Sequence, residues 1–436
     1  MAAGYRRGSE GGLTSPNRRL TLFSFVRANG TIGAMSAVAE SRRSITTLQE
    51  VVYRLAPIER GAGSPGEAES AQWLAERMRE TGADVTVEHA RYQPGFAPLI
   101  GASTAFATIL GILSLRNARY RAAAAAGALL SVLGIADDSS NGPRVLRRLF
   151  TRPKPTQNVV ARIGDENAPH TLVVLAHHDA APTGFIFDQT AGHAVADRFP
   201  GLIARTNTAP PMWWAVIFGP LLVSLGAIIG RKNVTRLGVG LGAFATTALA
   251  DISRGRIVPG ANDNLSGCAV LVAMAERLAE EPVPGLRVIL ASCGAEEVCQ
   301  GGIYDFVADH RDELPLDSTT IINLDTIGSP ELAMLEGEGT IVMEDYPDPA
   351  LRDRVSDAAE RAGVRLRRGL RATSSTDSVI FARAGYSITT LVSFDYAKQL
   401  SNYHMMSDTA ENLDYDTVAD ALEVTLELAS ELGQSA

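Results

Sequence analysis

Cysteine is scarce in this chain: Cys268, Cys293 and Cys299 are all that 436 residues contain. An odd number, with no CxxC spacing, excludes a disulfide framework and a cysteine-based zinc ribbon. The three read as small buried hydrophobes. A basic excess is lacking too. Forty Lys and Arg stand against 49 Asp and Glu, a net charge of -9, so the chain offers no electrostatic footprint for nucleic acid. Aromatics make up only 6%, but hydrophobic residues reach 46% against 20% charged, which excludes a disordered or fibrous chain. The length points to one large domain with elaborations, or to two unequal domains.

Residues 1–44, rich in Gly, Ser and Arg, hold no apolar run of signal-peptide length between Arg19 and Arg27. They read as a disordered segment. Arg18-Arg19 suggests a twin-arginine signal, but Arg27 interrupts the apolar stretch that follows, and Met35 is an equally good start. From Ser44 the pattern changes. Ile45, Leu48, Val51, Val52 and Leu55 recur at helical spacing, as do Ala68, Ala71, Leu74, Ala75 and Met78. Strands are expected at 84–89, 158–163, 171–176, 286–291, 319–324 and 387–392, alternating with helices near 265–280, 304–311, 349–362 and 415–432. Alternation with buried-type strands predicts an α/β fold, a mixed, mostly parallel sheet with helices on both faces.

Two regions do not belong to that sheet. Phe96 to Leu115 is an uncharged apolar run, about 30 Å long as a helix, enough to cross a bilayer core. Met212 to Gly230 is another. Each is followed by a short basic loop, 116–121 and 231–236, and by a shorter apolar run, 122–136 and 237–250. The sequence thus predicts two inserted apolar helical hairpins, at 96–136 and 211–250. Core helices of a soluble domain are the competing reading. Against it, the first arms lack the polar stripe that a surface helix needs. The expectation is a multi-pass membrane protein whose partner is the lipid bilayer, with Trp213 and Trp214 as interfacial anchors. Basic residues flank both ends of the hairpins, so the side holding the globular part stays open; the lack of a secretory signal inclines the reading to the cytoplasm.

Five short segments carry acids or histidines where strands end. They are His177-His178-Asp179; Gly260-Ala261-Asn262-Asp263-Asn264-Leu265-Ser266-Gly267; Glu296-Glu297; Asn323-Leu324-Asp325; and Tyr403-His404 through Asp408. Taken singly, each has an ordinary reading as a polar turn, a helix cap or a solvated acidic pair. An acid two residues beyond a His can, however, accept one ring N–H while the other nitrogen faces a metal. Adjacent carboxylates at a buried strand end repel unless a cation or proton intervenes. In order, His, Asp, Glu-Glu, Asp and His are the N and O ligands that a pair of zinc ions takes.

With these motifs in place, the sequence resembles the M28 family of zinc aminopeptidases over residues 45–93 and 156–432, apart from the second hairpin. The resemblance implies a zinc-peptidase-like catalytic domain at 45–95, 151–210 and 251–436 holding two zinc ions. One would take His177, Asp325 and a bridging Asp263; the other Asp263, Glu297 and His404. It further implies Glu296 as general base, Asp179 behind His177, Tyr403 at the oxyanion and a peptide substrate with a free N-terminus. The alternatives are a single-zinc glutaminyl-cyclase-like enzyme and a non-catalytic receptor or binding protein on the same scaffold. Asp377 falls where the family often has Ser-Asp-His, and the following His is missing. The second hairpin separates His177 from Asp263, an insertion larger than the family pattern has. If the strands at 84 and 158 pair antiparallel and the one at 171 reverses again, both hairpins leave the sheet at the ligand edge and the cleft faces the bilayer. His178 and His193 have no partner identifiable from sequence, and preferred N-terminal residue, peptide length and oligomeric state are not encoded legibly.

Overall fold

A computed structural model describes residues 31–208 and 214–434, with side chains from Arg43 onward. The chain divides after Ser44. The disorder expected for residues 1–30 lies outside the described residues. Residues 31–44, by contrast, are helical and open the helix Thr31–Leu55, consistent with the helix-favouring Ala34, Ala37 and Ala39.

Among the described residues from 45 onward, nine strands form one mixed sheet. In chain order they are β1 (Asp84–Tyr92), β2 (Lys154–Gly164), β3 (His170–His177), β4 (Leu286–Cys293), β5 (Thr319–Leu324), β6 (Glu331–Glu338), β7 (Glu344–Asp345), β8 (Arg367–Ala372) and β9 (Ser387–Phe394). Across the sheet the order is β1-β2-β4-β3-β5-β9-β6-β7, with β8 beside β6. β4, β3, β5 and β9 run parallel. β2 is antiparallel to β1 and β4, and β6 to β9.

Every residue of β5, and every residue of β3 after His170, is buried, as expected of strands covered on both faces. Alternate side chains serve opposite cores. Leu172 and Val174 pack with helices Ser266–Glu280 and Tyr415–Gln434, while Val173 and Leu175 join Ile303, Phe306 and Phe381 on the other side. β6 was not anticipated. Its sequence, Glu-Leu-Ala-Met-Leu-Glu, favours helix, and pairing with β9 overrides that preference.

The antiparallel β1-β2 and β2-β4 pairs make β1 point the same way as β3. The Tyr92 end of β1 and the Lys154 end of β2 therefore lie at the edge where the parallel strands finish. From that edge the first hairpin departs, as helices Phe96–Arg116 and Arg121–Ser139. The second, Trp214–Ile229 and Lys232–Ile252, interrupts the chain between β3 and helix Ser266–Glu280. Both apolar insertions thus leave from one end of the sheet. The described third arm, Trp214–Ile229, has 16 residues, fewer than the roughly 20 that a perpendicular span needs; the expected start at Met212 and the Trp213 anchor fall outside the described residues.

The four arms form a bundle whose interior is small and whose exterior is large. A Cβ on Gly219 would lie 2.7 Å from the Gly242 nitrogen, and one on Gly238 would lie 2.5 Å from the Val223 nitrogen. Gly238 and Gly242 are spaced as in GxxxG, the pattern that lets helix backbones approach closely. Thr104 and Thr246 share an inter-helix hydroxyl contact of 3.1 Å, and Ser224 Oγ donates to Ala125 O at 2.8 Å. Phe106, Ile109, Leu130, Leu133, Ile228 and Leu237 meanwhile face outward, each more than half exposed.

Gly238→Val should therefore overpack the bundle and destabilise it by about 1–3 kcal/mol. Gly240→Val, on the same helix with nothing within 4 Å of the added Cβ, should leave the melting temperature unchanged. Equal melting temperatures for the two variants in matched detergent would contradict the packing described.

Candidate metal centre

The sheet places four of the predicted segments side by side. His177 ends β3, Glu296 and Glu297 follow β4, Asp325 follows β5, and His404 lies in the loop after β9. These are the C-terminal ends of adjacent parallel strands, the customary ligand crevice of an open α/β sheet. Asp263 is delivered by the turn Ala261–Leu265, ahead of helix Ser266–Glu280. That turn is pinned from below. The fully buried Arg60 donates to Pro259 O at 2.6 Å and Gly260 O at 2.7 Å. At Gly267 a Cβ would sit 2.7 Å from Leu324 O and 2.9 Å from the Ala176 side chain, so only glycine lets the helix start press onto β3 and β5.

Five side chains meet as two sets sharing one acid. Ligand atoms of His177, Asp263 and Asp325 lie within 4.8 Å of one another, and so do those of Asp263, Glu297 and His404. The Asp263 carboxylate stands between the imidazoles, Oδ1 at 3.3 Å from His177 Nε2 and Oδ2 at 3.1 Å from His404 Nε2. Glu297 Oε2 is 3.2 Å from the same His404 nitrogen. Glu296 stays outside both sets, its Oε2 3.9 Å from His177 Nε2. Tyr403 stacks on His404 with ring centroids 3.8 Å apart.

A shell of buried acids fixes these groups. Asp179 Oδ1 lies 3.4 Å from His177 Nδ1, and its carboxylate accepts the backbone N–H of Glu296 at 2.9 Å and of Glu297 at 3.1 Å. Asp408 accepts the N–H of Asn262 at 2.7 Å and of Asp263 at 3.1 Å. Glu67 accepts the N–H of Ala295 at 2.8 Å. Ala295, Cys299, Gln300, Thr326 and His404 all adopt positive φ, a conformation costly for residues with a Cβ and found where surrounding contacts over-determine it.

Electrostatics shows what this packing demands. Burial, opposed by His177 and reinforced by Asp377, Asp325 and Glu297, lifts the Glu296 carboxyl well above the usual range. Burial also raises Glu297 to about 7, Asp408 to about 7 and Asp377 to about 8, with neighbouring acids adding to it. Burial works against a charged His404, yet Glu297 and Asp263 win and hold it up to about 10. So many desolvated acids around two imidazoles call for positive charge at their centre. The donor set fits a divalent metal pair: nitrogen and carboxylate oxygen only, with Glu297 Oε1 buried and His404 Nε2 meeting its two carboxylates without making a hydrogen bond.

Residues 246–429 match the model described as peptidase family M28. The matched segment spans less than half of the chain. It holds Asp263, Glu296, Glu297, Asp325, Tyr403 and His404, whereas His177 and Asp179 precede it. Among solved structures, the fold is similar to that of a Bacteroides thetaiotaomicron glutaminyl cyclase, at 14% identity over 88% of this chain and 97% of that one, TM-score 0.52. It is similar to a leucine aminopeptidase precursor from the same organism, at 14% identity over 88% and 96%, TM-score 0.51. It is likewise similar to a zinc aminopeptidase from Bacillus subtilis, at 16% identity over 90% and 94%, TM-score 0.50. No curated protein matches the chain.

Against the M28 pattern some expectations need correction. His178 and His193, without partners in the sequence reading, have them: His178 Nδ1 contacts Ser292 Oγ at 2.9 Å and His193 Nε2 contacts Asp395 Oδ2 at 2.6 Å. Both partners are distant in sequence, so no local pattern could show them. Asp377, whose role was in doubt, is buried with both carboxylate oxygens lacking hydrogen-bond partners. Asp408, Gln300, Arg60 and Glu67 were not anticipated as site residues. Asp408 lies in the quoted Tyr403–His404 loop, but its backbone acceptor role has no sequence signal.

Asp408→Ala should strip two N–H acceptors from the bridging turn and weaken zinc binding about 10–100-fold, as loss of such supporting contacts does elsewhere. Competition with a chromophoric chelator measures it, and an unaltered affinity would remove Asp408 from the site.

Proposed function

We propose that the chain is a membrane-attached dizinc aminopeptidase. The observation that carries this reading is the pair of three-ligand sets sharing Asp263, with the Glu296 carboxylate beside them and in neither. Bound there, two zinc ions would supply acidity to a water and charge to a developing oxyanion. His177, Asp325 and Asp263 would hold one; Asp263, Glu297 and His404 the other. Asp179, at His177 Nδ1, keeps the Nε2 face turned inward. Glu296 takes the proton of the attacking water and returns it to the departing amine. Tyr403 supports the oxyanion.

A cavity of about 230 Å³ opens on these groups, and its lining includes Asp263, Glu296 and Tyr403 together with the apolar Phe187, Leu335 and Phe394. Its apolar wall suits the side chain of a peptide N-terminal residue, whose ammonium would pair with the carboxylates nearby. Membrane attachment is supported by Phe96–Arg116 and Ala118–Ser139, both long and apolar enough to cross a bilayer, and by the inside-out bundle they join. That bundle abuts the site: Phe187 and Tyr403 share one apolar cluster with Ile100, Leu249 and Ile252. A preference for apolar or membrane-proximal peptides follows. The second reading, a glutaminyl cyclase, is favoured by the similarity of fold to such enzymes.

Glu296→Gln should retain two zinc ions per chain by elemental analysis and lose about 10²–10⁴-fold in hydrolysis of amino-acid p-nitroanilides. One metal per chain, with cyclisation of N-terminal glutaminyl peptides in place of hydrolysis, would establish the cyclase instead.

A further inference from the structure

The first hairpin does not merely depart near the site; its return segment reaches into it. Arg147 is fully buried and ion-paired with Asp138, the last acid of the hairpin's second arm, through Nε at 2.9 Å and through Nη2. Its Nη1 donates to Val298 O at 2.7 Å and to Gln93 O at 3.0 Å. Arg144, also buried, donates to Cys299 O and lies 3.3 Å from Tyr304 Oη. Val298 and Cys299 directly follow Glu297 in the chain. Two arginines from the insertion therefore hold the carbonyls of the turn bearing the acidic pair.

A second connection runs through side chains. Asn141 Nδ2 donates to Ser375 Oγ at 3.1 Å, and Ser375 Oγ lies 3.4 Å from Gln300 Oε1. Gln300 Nε2 donates to Ser375 O at 2.8 Å and to Glu296 Oε1 at 2.8 Å. Because both Nε2 partners are acceptors, the amide orientation is fixed. Glu296 Oε1 is thereby occupied, and Oε2 is the oxygen left facing His177. At Gln300 the backbone adopts φ +55°, a conformation that neighbours must hold in place.

We propose that the turn Asp138–Arg147 is a positioning element for the Glu296 carboxylate, acting through Arg144 and Arg147 on the backbone after Glu297, and through Asn141, Ser375 and Gln300 on Glu296 Oε1. The hairpin is then a part of the catalytic scaffold as well as an anchor, and the order of the bundle bears on the rate of the chemical step. This rests on the reading of Glu296 as general base.

The test uses the full chain in detergent or lipid nanodiscs, loaded with zinc. Asn141→Ala and Gln300→Met should each lower kcat about tenfold, with KM and zinc content unchanged, which a general loss of structure would not produce. Asn141 Oδ1 also accepts from Arg144, so Asn141→Ala touches both connections, and the double variant should lose less than the product of the two single losses. The charge-neutral pair Asp138→Asn with Arg147→Met removes the Arg147 hold on Val298 O without stranding a buried charge, and should show the same selective loss in kcat. Wild-type kcat in these variants, losses that multiply in the double variant, or a fall in zinc content matching the fall in rate would each overturn the proposal. Glu296→Gln separates the two readings. If it is inactive while the positioning variants behave as wild type, only the positioning role fails; if it remains active, the general-base reading itself fails.

Discussion

The structure turns on one electrostatic constraint: acids crowded out of water around two imidazoles. Asp263, Glu296, Glu297, Asp325 and Asp377 are each nine-tenths buried or close to it, within reach of one another's fields. A fold tolerates this only by supplying positive charge or oriented N–H groups. The protein does the second for the acids that stand behind the ligands. Asp179, Asp408 and Glu67 each accept backbone N–H donors from the turns bearing the ligands, so the same contacts that stabilise an acid also fix a loop. Positive φ at Ala295, Cys299, Gln300 and His404 puts backbone strain where the ligands must converge.

The sheet explains why so many groups can meet at all. Parallel β4, β3, β5 and β9 finish at one level, and each following loop contributes a short, stiff reach to the same crevice. The two apolar insertions use that edge as well. Their four arms pack through Gly219, Gly238 and Gly242 and leave large apolar side chains outward, an arrangement that would be unfavourable in water and suits hydrocarbon surroundings. The bundle and the site share Phe187 and Tyr403 as a common wall, which places part of the cavity lining against the bundle.

Much of the fold was legible because its signals are local. Buried strands such as Thr171–Ala176 and Leu286–Ala291 are β-branched apolar runs, and the Gly260–Gly267 turn advertises itself by glycine and Asx spacing. β6 and β8 were not legible: Glu331–Glu338 has helix-favouring residues, and it is a strand only because β9 offers it an edge. The bundle's inner face is not legible either, since glycine in an apolar helix signals close packing only once a partner helix is known.

Within the site, residue types and order determined which side chains could serve: acids and histidines at strand ends, in a sequence that the chemistry of nitrogen and oxygen ligands makes intelligible. The contacts that hold them in place were decided by tertiary structure alone. Asp408 beneath Asp263, Gln300 on Glu296, and Arg147 from the hairpin against Val298 are contacts between segments far apart in the chain. Side-chain hydrogen bonds and ion pairs of this kind depend on distance and angle in space, which no periodicity along the sequence encodes. The sequence by itself thus named the chemical groups of this protein, and the packing of sheet and bundle decided which of them touch.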